Sequence, residues 1–403
     1  MAASERLPKP VWVLIAAAFV IAMGFGLIAP VLPLFAQDMA GQAFPGAEVT
    51  ATSVVVSAFA VFRLLWATPA GSIVSRFGEK NTYVAGVFIV AISTGLTAFS
   101  QNYWQLLGFR AAGGIGSVMF TVSAMGLLIR IAPKNMRGRV TALYGAMFLI
   151  GNMVGPVLGG TLAEFGVSVP FLLYATALII AGILMAVFMP SMKDGGGDGG
   201  QAAALPPMTL AEAWRDRAFR ANLPGLFAHG WSNFGVRTAI VPLFVSAVLS
   251  KSSWVAGAAM AIFAVGNAAV LPFASRYADK VGRKPMIVGG ALTAAVFMAL
   301  LGQSGNYWSV FLTCFLAGLG TGMFNPAAQA VVADVVGNER SAGKVISTTQ
   351  MITDIGAILG PLAAGLLVDL GGYGLAFLAS GVILGLGAAA WIGTPDTIER
   401  TRQ

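Results

Sequence analysis

A series of twelve long apolar runs, separated by short polar loops, constrains this chain more than any other feature. They fall at about 11–35, 51–74, 82–100, 104–128, 140–163, 168–190, 222–249, 254–275, 286–303, 307–333, 345–368 and 374–393. An α-helix of roughly 20 residues crosses the hydrocarbon core of a bilayer. Backbone groups in lipid must be satisfied within the segment, so runs of this kind are helices rather than barrel strands. Only 10% of the 403 residues are charged and 57% are hydrophobic, whereas a soluble domain carries roughly 25% charged residues. The expected fold class is an all-α membrane protein with twelve transmembrane helices. The first run follows Arg6 and Lys9 as a signal peptide would, yet it passes through Pro30 and Pro33 with no clean cleavage site. It reads as a retained first helix. Cys314 is the only cysteine, which excludes an intrachain disulfide.

Basic residues set the expected orientation. Arg76, Lys80, Arg130, Lys134, Arg137, Arg139, Arg215, Arg217, Arg220, Arg276, Lys280, Arg283, Lys284, Arg340 and Lys344 fall in alternate loops, and the opposite loops hold only Lys251. By the positive-inside rule both termini are cytoplasmic, in the inner or plasma membrane. The net charge of +8 then reflects topology and gives no support for nucleic-acid binding.

The chain also repeats itself at an offset of about 204–205 residues. GIGSVMF at 114–120 answers GLGTGMF at 318–324, and GPVLGGTLAEFG at 155–166 answers GPLAAGLLVDLGG at 360–372. Two six-helix halves of one topology are expected to rock about a central site. The division is an N-terminal half at 1–190, a cytoplasmic linker at 191–220 and a C-terminal half at 221–403. Within the linker, 194–207 is glycine-rich and flexible in composition. MTLAEAWRDRAFR at 208–220 follows as a short amphipathic helix, with Thr209 and Glu212 at capping-box spacing.

Four motifs occur in order. GFGLIAPVLP at 24–33 carries Gly24, Gly26, Pro30 and Pro33 in the first span. GSIVSRFGEK at 71–80 follows the second span, with Gly71, Arg76, Gly78 and Lys80, and its counterpart SRYADKVGRK at 275–284 has Asp279, Gly282, Arg283 and Lys284. LLGFRAAGGIG at 106–116 places Arg110 before a glycine run, and GNMVGPVLGGTL at 151–162 places Gly151, Gly155, Pro156, Gly159 and Gly160 in the fifth span. Small residues permit close helix approach, and proline interrupts the hydrogen-bond ladder. With these motifs the chain resembles the major facilitator superfamily, and within it the twelve-helix drug:proton antiporters. The resemblance implies two pseudo-symmetric six-helix halves and, through the fifth-span motif, export. It also implies a cytoplasmic latch at the loop motifs, from which the first half departs at Ser75, where the family pattern has an acid.

Few ionisable groups fall inside the spans: Arg63, Arg110, His229, Arg237 and Asp354. Many relatives carry a carboxylate in the first span near Gly26, and this chain has none there. Asp354 is therefore the expected proton-coupling group, with Arg63 as its partner, and His229 could titrate or simply pack. Arg110, Arg237, Asn233, Asn267, Asn325 and Gln350 are expected to face the substrate cavity, with Trp66, Phe120, Tyr144 and Phe234 as its aromatic wall. The expected partners are a small-molecule substrate, protons and the lipid bilayer; the chain reads as a monomer without cofactor, metal site or catalytic residues. A proton-coupled importer is the alternative. A membrane sensor is disfavoured because no loop is long enough for a sensory domain.

Overall fold

The computed structural model describes residues 7–133, 136–190, 208–249, 252–336 and 343–397. Fourteen α-helices and one π-helical segment account for the regular structure, with no strand among the described residues. The helices group into two units. The first comprises residues 1–39 and 58–197, the second 40–57 and 198–403. The linker stretch 194–207 lies outside the described residues.

In the first unit, α1 (Lys9–Ile28) stops at a turn containing Pro30 and resumes as α2 (Leu32–Ala43). Pro33 sits in the first turn of α2, where its missing N–H breaks no bond. Then come α3 (Glu48–Leu65), α4 (Ala67–Thr97), α5 (Tyr103–Ile131), α6 (Arg137–Ala163) and α7 (Val169–Phe188). The stretch 71–80, read from sequence as a loop, is helical on both sides of Gly78, which turns the chain alone at φ 77°. α5 begins at Asn102, whose side chain accepts from the Gln105 amide at 3.0 Å.

The two glycine motifs of this unit explain each other. A Cβ on Gly26 would lie 2.8 Å from Pro156 Cδ and 2.9 Å from Gly155 Cα, and one on Gly159 would run into the Leu27 carbonyl. The first-span and fifth-span motifs are thus the two sides of one seam between α1 and α6. Gly160 is buried in α6, and Gly24 is covered by the ring of Tyr174 from α7.

The second unit opens with α8 (Leu210–Arg215), where Thr209 and Glu212 form the expected capping box. Asp216 then caps α9 (Arg217–His229) through the amides of Ala218 and Phe219. α9 continues through the π-helical segment Gly230–Val236 into α10 (Arg237–Val248). The seventh span is therefore one rod with a local widening, which apolar patterning did not reveal. α11 (Ser253–Lys280), α12 (Arg283–Leu301), α13 (Tyr307–Val336) and α14 (Gly343–Ala389) complete the unit, and Gly372 at φ 81° folds α14 into the eleventh and twelfth spans.

α3 is shared between the units. The Asp369 carboxylate accepts from the Val49 and Thr50 amides at 3.2 and 2.8 Å and from the Thr50 hydroxyl at 2.6 Å. The Ser57 hydroxyl donates to the Ile358 carbonyl at 3.0 Å. These bonds group 40–57 with the second unit, although the sequence division counts them in the N-terminal half.

Nine helices among the described residues are long and apolar enough to cross a membrane. Counting both limbs of α14, the limb of α4 beyond Gly78 and the rod through the π segment gives twelve spans in two six-helix halves. Large apolar side chains stand exposed along them, such as Ile180, Ile183, Val187 and Phe188 on α7. Such a surface suits lipid.

Candidate functional site

Within its spans, each unit sets an arginine against a phenylalanine ring from a neighbouring helix. In the first, Arg110 of α5 lies over Phe59 of α3, its guanidinium 4.7 Å from the ring centroid. Arg110 is 9% exposed, and its Nε has no hydrogen-bond partner among the described residues. In the second, Arg237 at the start of α10 lies over Phe263 of α11 at 4.8 Å, and its Nε–H donates to the Asn233 carbonyl at 3.0 Å. Asn233 is buried, and its Oδ1 has no partner. Neither arginine forms an ion pair among the described residues. A desolvated cation–π contact contributes about 2 kcal/mol, whereas an arginine at mid-membrane costs roughly 3 kcal/mol or more. The ring alone does not fully offset the buried charge. Such residues are functional candidates by default.

His229 is enclosed by aromatic rings, stacked on Phe324 with centroids 5.5 Å apart and edge-on to Phe234 at 5.7 Å. It borders a cavity of about 10 Å³ with Thr321 and Leu384. Asp354, half-buried on α14, accepts from Gln350 Nε2 at 2.9 Å. Arg63 is half-buried on α3 and forms no ion pair among the described residues. Phe120 is buried against Tyr83, with centroids 6.1 Å apart. Tyr144 on α6 and Asn325 on α13 are half-buried, and Trp66 stands partly exposed at the break between α3 and α4. Asn267 is half-buried on α11, its backbone lying against Gly318 and Gly322.

The two loop motifs each anchor an ion pair. Glu79 meets Arg130 of α5 at 2.9 Å. Arg283 meets Asp334 of α13 at 3.3 Å, and Asp334 also accepts from the Thr397 hydroxyl at 2.7 Å. The Asp396 carboxylate accepts from the Arg283 and Lys284 amides at 3.0 Å each, and Lys284 Nζ donates to the Thr394 carbonyl. Gly282 turns at φ 148°, and a Cβ there would collide with Asp396. Gly71 faces open space, Arg76 lies over Phe77, Lys80 is half-buried, and the Ser75 hydroxyl bonds its own helix at the Ser72 carbonyl. The Asp279 side chain falls outside the described ones.

Sequence reading missed Phe59, Phe263, Asp369 and Asp396. The internal offset carried a signal for the first two, because a shift of 204 residues superposes Phe59 on Phe263. The C-terminal Asp396 gave none: its role depends on the tail returning to α12.

A family model described as Major Facilitator Superfamily matches residues 14–245 and 223–402. The chain is 25% identical over 377 residues to the quinolone resistance protein NorA of Staphylococcus aureus, covering 93% of this chain and 94% of the relative. It is 23% identical to the multidrug efflux protein YfmO of Bacillus subtilis, covering 90% and 87%. A crystal structure of a bacterial homolog of the human lysosomal transporter Spinster, inward-facing and unoccupied, superposes with a TM-score of 0.77 at 16% identity, over 99% of this chain and 98% of that one. With both halves matched and the glycine seam between α1 and α6 in place, this chain belongs to the major facilitator superfamily and is a multi-pass membrane transporter.

Proposed function

We propose that the protein exports a drug-like molecule or small metabolite in exchange for protons, by alternating access of its two halves. The observation that carries this reading is the α1–α6 seam, in which the exporter motif Gly151–Gly160 packs glycine by glycine on α1. The names of the relatives, quinolone resistance and multidrug efflux, point the same way. The alternating basic loops support an inner or plasma membrane location with both termini cytoplasmic. No catalysis enters this reading.

Asp354 is the proton carrier, and Arg63 is its partner at one stage of the cycle. A nearby guanidinium holds a carboxylate ionised, and its withdrawal in a dry setting favours proton uptake. Arg110 contacts an anionic or electron-rich group of the substrate, since a guanidinium forks onto carboxylate or phosphate. The substrate and protons are the only partners the reading requires, with a monomer as the working unit.

Inverted vesicles with an imposed proton gradient test it. Labelled compound should concentrate inside, collapse with a protonophore and need no nucleotide, as the chain has no GxxxxGK[ST] loop. Transport that required ATP hydrolysis would overturn the reading. Accumulation in right-side-out cells along the proton gradient would favour the importer.

A further inference from the structure

The two units cover equivalent rings with cations from different helices. A shift of 204 residues takes Phe59 to Phe263 but takes Arg110 to Cys314. The second ring is nevertheless covered, by Arg237 from α10. Contacts with α6 and α14 locate the cause. Gly155 faces the Met23 backbone and Gly360 faces the Trp231 backbone, a shift of 208 residues along the first helix of each half. One turn further along, near the end of the π segment, Gly26 on Pro156 is matched by Gly235 on Pro361, and the shift has become 209. One extra residue is therefore taken up within Gly230–Val236, as a π-helical turn allows, and such turns concentrate at functional sites. Arg237 follows immediately, where the first unit has the apolar Ile28.

We propose that Arg237 and Asn233 form the recognition site for a carboxylate of the transported molecule, leaving the electron-rich uncharged groups of that molecule to Arg110. The Arg237 Nε–H is committed to the Asn233 carbonyl, and its terminal nitrogens have no hydrogen-bond or ion-pair partner among the described residues. Those nitrogens are the pair that grips a carboxylate in a two-pronged contact. Phe263 covers the guanidinium from one side. The buried Asn233 Oδ1, one turn away and without a donor, takes an N–H or O–H of the same molecule. With cysteine at 314 in place of an arginine, Arg237 is the cation at this ring. Arg237 is thus a specificity-determining residue that sets carboxylate against uncharged ester. This assignment rests on the transporter reading.

The test uses purified full-length protein in lipid nanodiscs and a panel of aromatic carboxylic acids with their methyl esters, a quinolone acid included. Equilibrium dialysis should find at least one acid bound about tenfold or more tighter than its ester, the scale of one charge-assisted pair. Arg237→Gln should erase that preference while the ester affinity stays within about twofold, and Arg237→Lys should retain part of it. Moving the cation back to α13 with Arg237→Ile plus Cys314→Arg should restore some preference. Thermal melting checks each variant; if Arg237→Gln does not fold, Arg237→Lys and the double variant decide. No acid preference in the wild type, or an equal loss for acid and ester, would overturn the site. Intact vesicle transport beside such a loss leaves the transporter reading standing, whereas acid-selective binding without transport sinks that reading alone.

Discussion

At the loop motif of the first unit a carboxylate, Glu79, meets an arginine, Arg130. Shifted by 204 residues, the same two positions hold Arg283 and Asp334, and they meet again with the charges exchanged. Something similar happens at the ring: the cation over Phe59 comes from α5 and the one over Phe263 from α10. In both places the contact survives and the residues supplying it have changed. Attraction between opposite charges depends on separation and surroundings, with either sign order equivalent. A cation–π contact likewise depends on where the cation sits, with either helix able to deliver it. Close glycine seams have no such freedom, because only a missing Cβ lets two backbones touch. Gly151 and Gly155 of α6 are answered by Gly356 and Gly360 of α14, each against the matching backbone, while Gly159 is answered by Ala364.

The largest expected effect tests where the halves differ most. Asp354 has Leu149 as its counterpart in the first unit, so the spans of only one half carry a central acid. Asp354→Asn should leave the protein folded and substrate-binding but abolish proton-driven transport in vesicles. A mutant that still concentrated substrate with normal pH dependence would remove the functional meaning of that asymmetry.

Next in size are the seams. A Cβ on Gly155 runs into the Met23 carbonyl, and one on Gly360 lies 2.6 Å from the Trp231 carbonyl. Gly155→Ala and Gly360→Ala should each cost roughly 1–3 kcal/mol, as overpacking does. Thermal unfolding in detergent reads both. Sensitivity at one site alone would mean that the two seams are not equivalent.

The exchanged ion pairs come third. Glu79→Arg should destabilise by roughly 1–2 kcal/mol, between exposed and buried pairs. Adding Arg130→Asp should recover most of the loss, since that is the arrangement of the second unit. The reverse exchange, Arg283→Glu with Asp334→Arg, should recover less, because Asp334 also accepts from Thr397. Equal recovery in both units would show that the tail contact contributes nothing.

The smallest effect is expected at Gly71, where no atom lies within 4 Å of an added Cβ and the second unit already carries Ser275. Gly71→Ser should change stability by no more than about 0.5 kcal/mol. A larger loss in the unfolding midpoint would place an unseen contact at that face.

Spans, repeat and family were legible because they depend on composition and spacing. Apolar runs of membrane length leave the backbone no alternative to helix, whatever their neighbours. The capping box at Thr209 was equally readable, since its partners are three residues apart. The candidate site was legible in its charges but not in its contacts. Arg110 and Arg237 stood out as isolated cations, whereas Phe59 and Phe263 were two phenylalanines among 26.

The sequence by itself determined the membrane, the helix count, the duplication and the list of residues that must justify their burial in lipid. Tertiary structure decided which ring each arginine covers, that Asp369 holds the start of α3 and that Asp396 returns to cap α12. It also decided that the seventh span widens into a π-helical turn just before Arg237. The reason is physical: hydropathy and helical period act within about one turn of chain, but these contacts join residues up to 320 positions apart. Their geometry exists only once the helices have packed.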